Sequence, residues 1–178
     1  MATTLTEAAG IPAAPRANSA PPAEDTANAQ SGNASVVSLQ EFRALMAAQH
    51  PFSAELGIEI EALGAGTARA VLPARPSHQR LGGIVAGPML MGLADVALYA
   101  AVVSATGEAH AVTASLTINF LRGCPAGDIV AEARLLKVGR LCTGEVTLTP
   151  RAGTQPVAHA VSTWALPRPR EERAGPMG

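Results

Sequence analysis

The stretch from Ile84 to Ser104, IVAGPMLMGLADVALYAAVVS, is apolar on nearly every face and carries a single carboxylate, Asp95, at its middle. A helix that is hydrophobic all round must be buried, in a bilayer or in a protein core. Its length would suit a bilayer. Three features oppose that reading. An unpaired carboxylate at mid-depth is expensive in lipid. Gly87-Pro88 interrupts the start. The rest of the chain reads as strands that need something apolar to wrap. A helix is expected from about Pro88, where a missing N–H is harmless, to Ser104, with Thr106-Gly107 breaking it.

Upstream, Ser38 with Glu41 three residues on forms a capping-box pattern for a short helix, LQEFRALMAAQ. Leu39, Phe42, Leu45 and Met46 share one face, and Pro51 ends it. Residues 53–62 alternate toward their end and predict a strand, with Leu63-Gly64-Ala65-Gly66 as the turn and Thr67–Leu72 as the return strand. Residues 74–83 are read as a loop. Four strand-like runs follow the helix: 111–121, 128–138, 141–149 and 157–166. In the first, Val112, Ala114, Leu116, Ile118 and Phe120 fall on one face and Thr113, Ser115, Thr117 and Asn119 on the other. Their even spacing predicts an antiparallel meander. The fold class is therefore α+β, one long helix gripped by a curved antiparallel sheet.

The chain has 178 residues and a formal net charge of −1, with 3% aromatics. That length fits one domain with tails. The charge balance and scarce aromatics argue against nucleic-acid binding. Cys124 and Cys142 are too few for a structural zinc site or a disulfide scaffold, which points to a reducing compartment and a cytoplasmic location. Residues 1–36 are rich in Ala, Pro, Ser, Thr and Asn with no apolar period, and are expected to be a disordered tail. Residues 37–166 form the domain, and 167–178 a second loose tail. No secretory signal pattern is found at the start.

Asp95 is the strongest candidate for chemistry. Its helical neighbours Met91, Gly92, Leu98 and Tyr99 supply no cation. A carboxylate in an apolar cleft has its pKa moved upward by desolvation, as a general base requires; the bland alternative is a cation or backbone donor elsewhere in the fold. The second candidate is the loop Gly82-Gly83-Ile84-Val85-Ala86-Gly87-Pro88. Its glycines permit close backbone approach, and free N–H groups at the helix start would hold negative charge. Gly87 precedes Asp95 by eight residues, roughly 12 Å of helix, too far for both to touch one reacting carbonyl in one subunit. Two antiparallel copies of the helix across a dimer axis would bring them together. His50, His78, His110 and His159 lack metal-ligand spacing, and His78 and His110 are expected to be solvated. Cys142 alternates inward. Lys137 and Arg140 flank a turn and are open to a phosphate or to solvent. Thr113 is placed to orient a water.

The segments RLGGIVAGPMLMGLADVALYAA, VTASLTINFLR, PAGD and KVGR resemble hotdog-fold acyl-CoA thioesterases of the phenylacetate-degradation type, over about residues 52–166. The resemblance implies homodimers with a continuous sheet, often paired again into tetramers, and hydrolysis of coenzyme A thioesters without metal or cofactor. It implies that the Gly87 N–H polarises the thioester carbonyl, that the partner's acid at position 95 activates water or attacks, and that Thr113 positions the water. Arg80, Gly83, Met91, Tyr99 and Arg140 are the expected substrate contacts. Ala86 stands where the family usually has His, Pro88 replaces a second Gly, and Arg80 sits near the usual Asn. Three other readings remain at this point: a non-catalytic acyl-CoA binding or sensing module, a purely structural dimer, and a hotdog enoyl-CoA hydratase. The last wants a His beside the Asp, and none follows Asp95 before His110.

Overall fold

A computed structural model describes residues 34–168. Ser38 caps helix α1 (Leu39–Gln49) with the full capping box: its side chain accepts from the Glu41 N–H, and the Glu41 carboxylate accepts from the Ser38 N–H. Phe42 is buried, with Leu39, Leu45 and Met46 packed around the core. Pro51 does end α1, but it also opens a second helix, α2 (Pro51–Leu56). The expected strand from residue 53 therefore begins only at Glu59. Proline is as good at the first turn of a new helix as it is bad inside an old one. Gly57, at φ 68°, closes α2 in the left-handed conformation.

Strands β1 (Glu59–Gly64) and β2 (Thr67–Leu72) form the expected hairpin. The loop after β2 contains a 3-10 turn, Pro76–His78, and a two-residue hairpin of β3 (Gln79–Arg80) and β4 (Ile84–Val85). Helix α3 (Gly87–Thr106) follows and ends at Gly107, φ 70°. It is buried without a break from Val96 to Ser104, inside protein rather than lipid. Then come β5 (Val112–Phe120), β6 (Ile129–Lys137), β7 (Leu141–Pro150) and β8 (Ala158–Ala165).

The six long strands form one antiparallel sheet in the order β1-β2-β6-β7-β8-β5, packed on α3. The predicted meander holds for β6, β7 and β8 only. β5 does not neighbour β6; it pairs with β8 at the far edge. Residues 122–127 are a crossing segment held by the β3–β4 hairpin. The Val85 N–H donates to the Cys124 carbonyl, and Ile84 bridges to Pro125. Because β6 instead seals against β2, one edge of β5 is left without a strand partner among the described residues.

Leu93, Leu98, Val102, Val146, Leu148 and Cys142 fill the space between helix and sheet. Gly144 on β7 lets the Leu98 side chain close in, since a Cβ there would lie 3.0 Å from Leu98 Cδ2. The two expected tails lie outside the described residues except at their inner ends. At the first, the Val36 N–H and Ser35 hydroxyl donate to the Ser104 carbonyl; the last domain residue before the second, Leu166, donates its N–H to the Arg140 carbonyl.

Candidate active site

A β-bulge aims the key hydroxyl. Between Thr113 and Ser115 the register of β5 against β8 slips by one, with Ala114 as the extra residue. Beyond the slip, Leu116, Ile118 and Phe120 stand opposite Ser162, Ala160 and Ala158, which are buried under the helix. Before it, Thr113 stands opposite the buried Trp164. Strict alternation puts Thr113 on the outer face with Ser115, Thr117 and Asn119. The bulge moves it to the helix face and sends Val112 outward, where it is exposed. From there the Thr113 hydroxyl donates a 2.8 Å hydrogen bond to Asp95 Oδ1.

Asp95 is half-buried on α3. Burial pushes its carboxyl above the usual carboxylate range, while the Thr113 hydroxyl and the charge of His50 pull the other way. The cation or backbone donor of the bland reading is not its hydrogen-bond partner; a neutral hydroxyl is. This tuning has a stability consequence. A carboxyl whose folded pKa is raised favours folding most when protonated, and that contribution is lost as pH rises through the folded value. Asp95→Asn is therefore expected to melt above wild type at pH 7, with the gap closing below the ordinary carboxylate range. Melting curves at both pH values check this; a lower melting temperature for the variant at both would refute it.

Gly87 opens α3 beyond the other end of β5. Among the described residues its N–H has no hydrogen-bond partner, whereas the Val85 and Ala86 N–H groups donate to the carbonyls of Cys124 and His78. A Cβ on Gly87 would lie 3.3 Å from Phe120 Cζ. A cleft of about 510 Å³ opens here, lined by Arg80, Ile84, Gly87, Leu90, Phe120 and Arg122 among others. A hollow of about 550 Å³ on the outer sheet face is lined instead by ion-paired groups, Arg69 with Glu132 and Arg134 with Glu145. Within one chain, then, Asp95 and Thr113 lie at the start of β5, and Gly87 and Phe120 at its end.

The sequence pattern of the thioesterase superfamily matches residues 82–147, a span that holds Gly83, Gly87, Asp95, Thr113 and Arg140. The chain is similar to the crystal structure of a candidate thioesterase from Silicibacter sp. TM1040. Identity there is 33%, over 78% of this chain and 97% of that one, with a TM-score of 0.70. The chain belongs to the hotdog-type thioesterase superfamily. It is also 29% identical to a candidate esterase of Saccharolobus solfataricus, over 75% of this chain and 88% of that one. A substituted form of the phenylacetic acid degradation protein PaaI of Thermus thermophilus is 27% identical, over 66% of this chain and 99% of that one, with a TM-score of 0.59. Membership supports thioester hydrolysis in general.

In this member of the superfamily the other expected contacts divide into two groups. Arg80 lines the Gly87 cleft, and Gly83 sits in the turn beneath it at φ 68°, which glycine accepts without strain. Met91 is 42% exposed, one turn before Asp95. Tyr99 corrects the expectation: it is 4% exposed, and its hydroxyl donates to the Ala109 carbonyl, so it is a wall behind Asp95 and not a slot for substrate. Arg140 is exposed at the β6–β7 turn, at the Thr113 end of the sheet. His78, expected in solvent, is buried by the 3-10 turn, and its carbonyl braces the start of α3 through the Ala86 N–H. Two residues escaped the sequence reading. Arg122 reaches the Gly87 cleft from the crossing segment. His50, at the α1–α2 junction, brings its charge to Asp95. Only tertiary folding brings either one to its site.

Proposed function

We propose that the chain hydrolyses acyl-CoA thioesters as a homodimer, with each site shared between two subunits. One observation carries the reading: the acid pair Asp95–Thr113 and the Gly87 N–H, which has no partner among the described residues, stand at opposite ends of one edge strand whose outer edge those residues also leave unpaired. A twofold axis through the middle of β5 would pair that edge with its own copy, antiparallel. The start of one β5 would then meet the end of the other, and Asp95 would face the Gly87 cleft of the partner. The exposed apolar side chains of that strand, Val112 at 60% and Phe120 at 50%, would be covered by the same step.

In the proposed reaction the Gly87 N–H, at the positive end of α3, polarises the thioester carbonyl and holds the developing oxyanion. Asp95 takes a proton from a water that the Thr113 hydroxyl helps to place. The water oxygen adds to the carbonyl carbon. The C–S bond then breaks, the thiolate leaves with the proton that Asp95 held, and the free acid departs. Arg80 and Arg122 frame the cleft, with charge suited to CoA phosphates. Ala86 in place of His leaves one backbone donor where the family has more polar groups, and a smaller, more apolar entrance.

The test is thiol release from short, medium, long and aromatic acyl-CoAs. Turnover on at least one member is expected. A folded dimer that binds acyl-CoA and releases no thiol from any member would favour the binding-module reading and overturn this one.

A further inference from the structure

His50 has no role in the mechanism just described, yet the fold pins its ring against Tyr99, one helical turn from Asp95. It forms the joint between α1 and α2, and its backbone is tied on both sides. Its N–H donates to the Met46 carbonyl, and its own carbonyl accepts from the Ser53 N–H and the Ser53 hydroxyl. Pro51 stiffens the next residue. The joint is pressed onto α3 at Gly92, where a Cβ would lie 2.6 Å from Leu56 Cδ1. Gly92 is one turn before Asp95 on the same helix. The His50 ring lies 4.8 Å, centroid to centroid, from Tyr99, and Tyr99 is one turn after Asp95. The imidazole is thereby held over the stretch of α3 that carries the acid.

We propose that His50 is a positioning residue for Asp95: when protonated, its imidazole extends to lower pH the range in which the carboxylate stays ionised to activate water. This rests on the reading of Asp95 as the base. Within one chain the groups around Asp95 leave His50 as its counter-charge; in the proposed dimer the Arg80 and Arg122 side chains that frame the facing cleft add to it and are the same in every variant compared below. From β5 it meets the neutral Thr113 hydroxyl, and α3 offers Tyr99. In the α3–β5 connection, Glu108 acts on Tyr99 and its Oε1 accepts from the exposed His110 N–H. A cation beside a carboxylate favours the ionised form, so removing it must move the titration upward.

The experiment has two arms on the full chain. In the first, the Asp95 carboxyl carbon, assigned by its loss in Asp95→Asn, is followed by NMR through a pH titration. Its midpoint is expected to rise in His50→Gln and to stay at or below wild type in His50→Lys. If the Gln variant loses its folded spectrum, His50→Phe, which keeps a ring against Tyr99 without the charge, makes the same comparison. An unchanged midpoint in the neutral variant overturns the proposal. In the second arm, the acid limb of kcat/KM should shift by the same amount with KM little changed; an unmoved limb, or a loss confined to KM, also overturns it. Absence of thiol release in wild type would overturn the thioesterase reading alone, because the NMR arm needs no turnover.

Discussion

Asp95→Asn is expected to cut kcat for thioester hydrolysis by about 10²–10⁴-fold while acyl-CoA affinity stays within a few-fold of wild type. The amide has the shape of the carboxylate and still accepts the Thr113 hydrogen bond, now 2.8 Å in the wild-type chain. It cannot take a proton from water. The neutral side chain also relieves the burial that pushes the acid upward, so lost activity should come with a fold no less stable. Steady-state thiol release with a parallel binding titration separates the two effects. Equal turnover by variant and wild type would remove Asp95 from the chemistry. Loss of binding alone would make it a substrate contact.

Gly87→Pro is expected to cost about 10²–10³-fold in kcat by deleting a single hydrogen-bond donor. The substitution removes that donor, and because Pro88 follows directly, a helical circular-dichroism signal equal to wild type is required to show that α3 still starts at 87. Gly87 is the first residue of α3, where proline is favoured, and Ala86 before it is already extended at φ −71°, ψ 140°. The N–H that proline removes makes no hydrogen bond among the described residues. The ring would press on Phe120 Cζ, a side chain that is half exposed and free to give way. Gly87→Ala keeps the N–H and meets the same neighbour, so it serves as the steric control and should retain most activity. If the two variants lose activity equally, crowding at Phe120, and not the missing donor, is the cause.

Much of this fold was legible in the residues. The capping box at Ser38, the glycine that stops α3 at 107 and the alternation in β7 are local signals, and each element formed where its signal lay. The importance of Asp95 was legible too, because an acid in an all-apolar helix is costly wherever that helix is buried. What escaped was set by partners far away in the chain. Alternation in β5 reads equally well on either face, and only pairing with β8 inserts the bulge at Ala114 that turns Thr113 inward. Tyr99 sits on the same helix stripe as Asp95, but Phe42 and Trp164 close around its ring and take it out of reach of substrate. His50 carried no metal-ligand spacing and no other local signal in the sequence. It became a neighbour of Asp95 because Gly92 lets α2 lie against α3.

The central claim is that each active site is built from the Asp95 end of one subunit and the Gly87 end of another. Mixing Asp95→Asn with Gly87→Pro chains, by co-expression or by unfolding and refolding together, tests it directly. Each variant alone is expected to be nearly inactive. In the mixture, about half the dimers are mixed, and each of these holds one site with both groups intact, so about a quarter of wild-type turnover should return. A mixture no more active than its two components, with mixed dimers shown to form, would contradict the shared site.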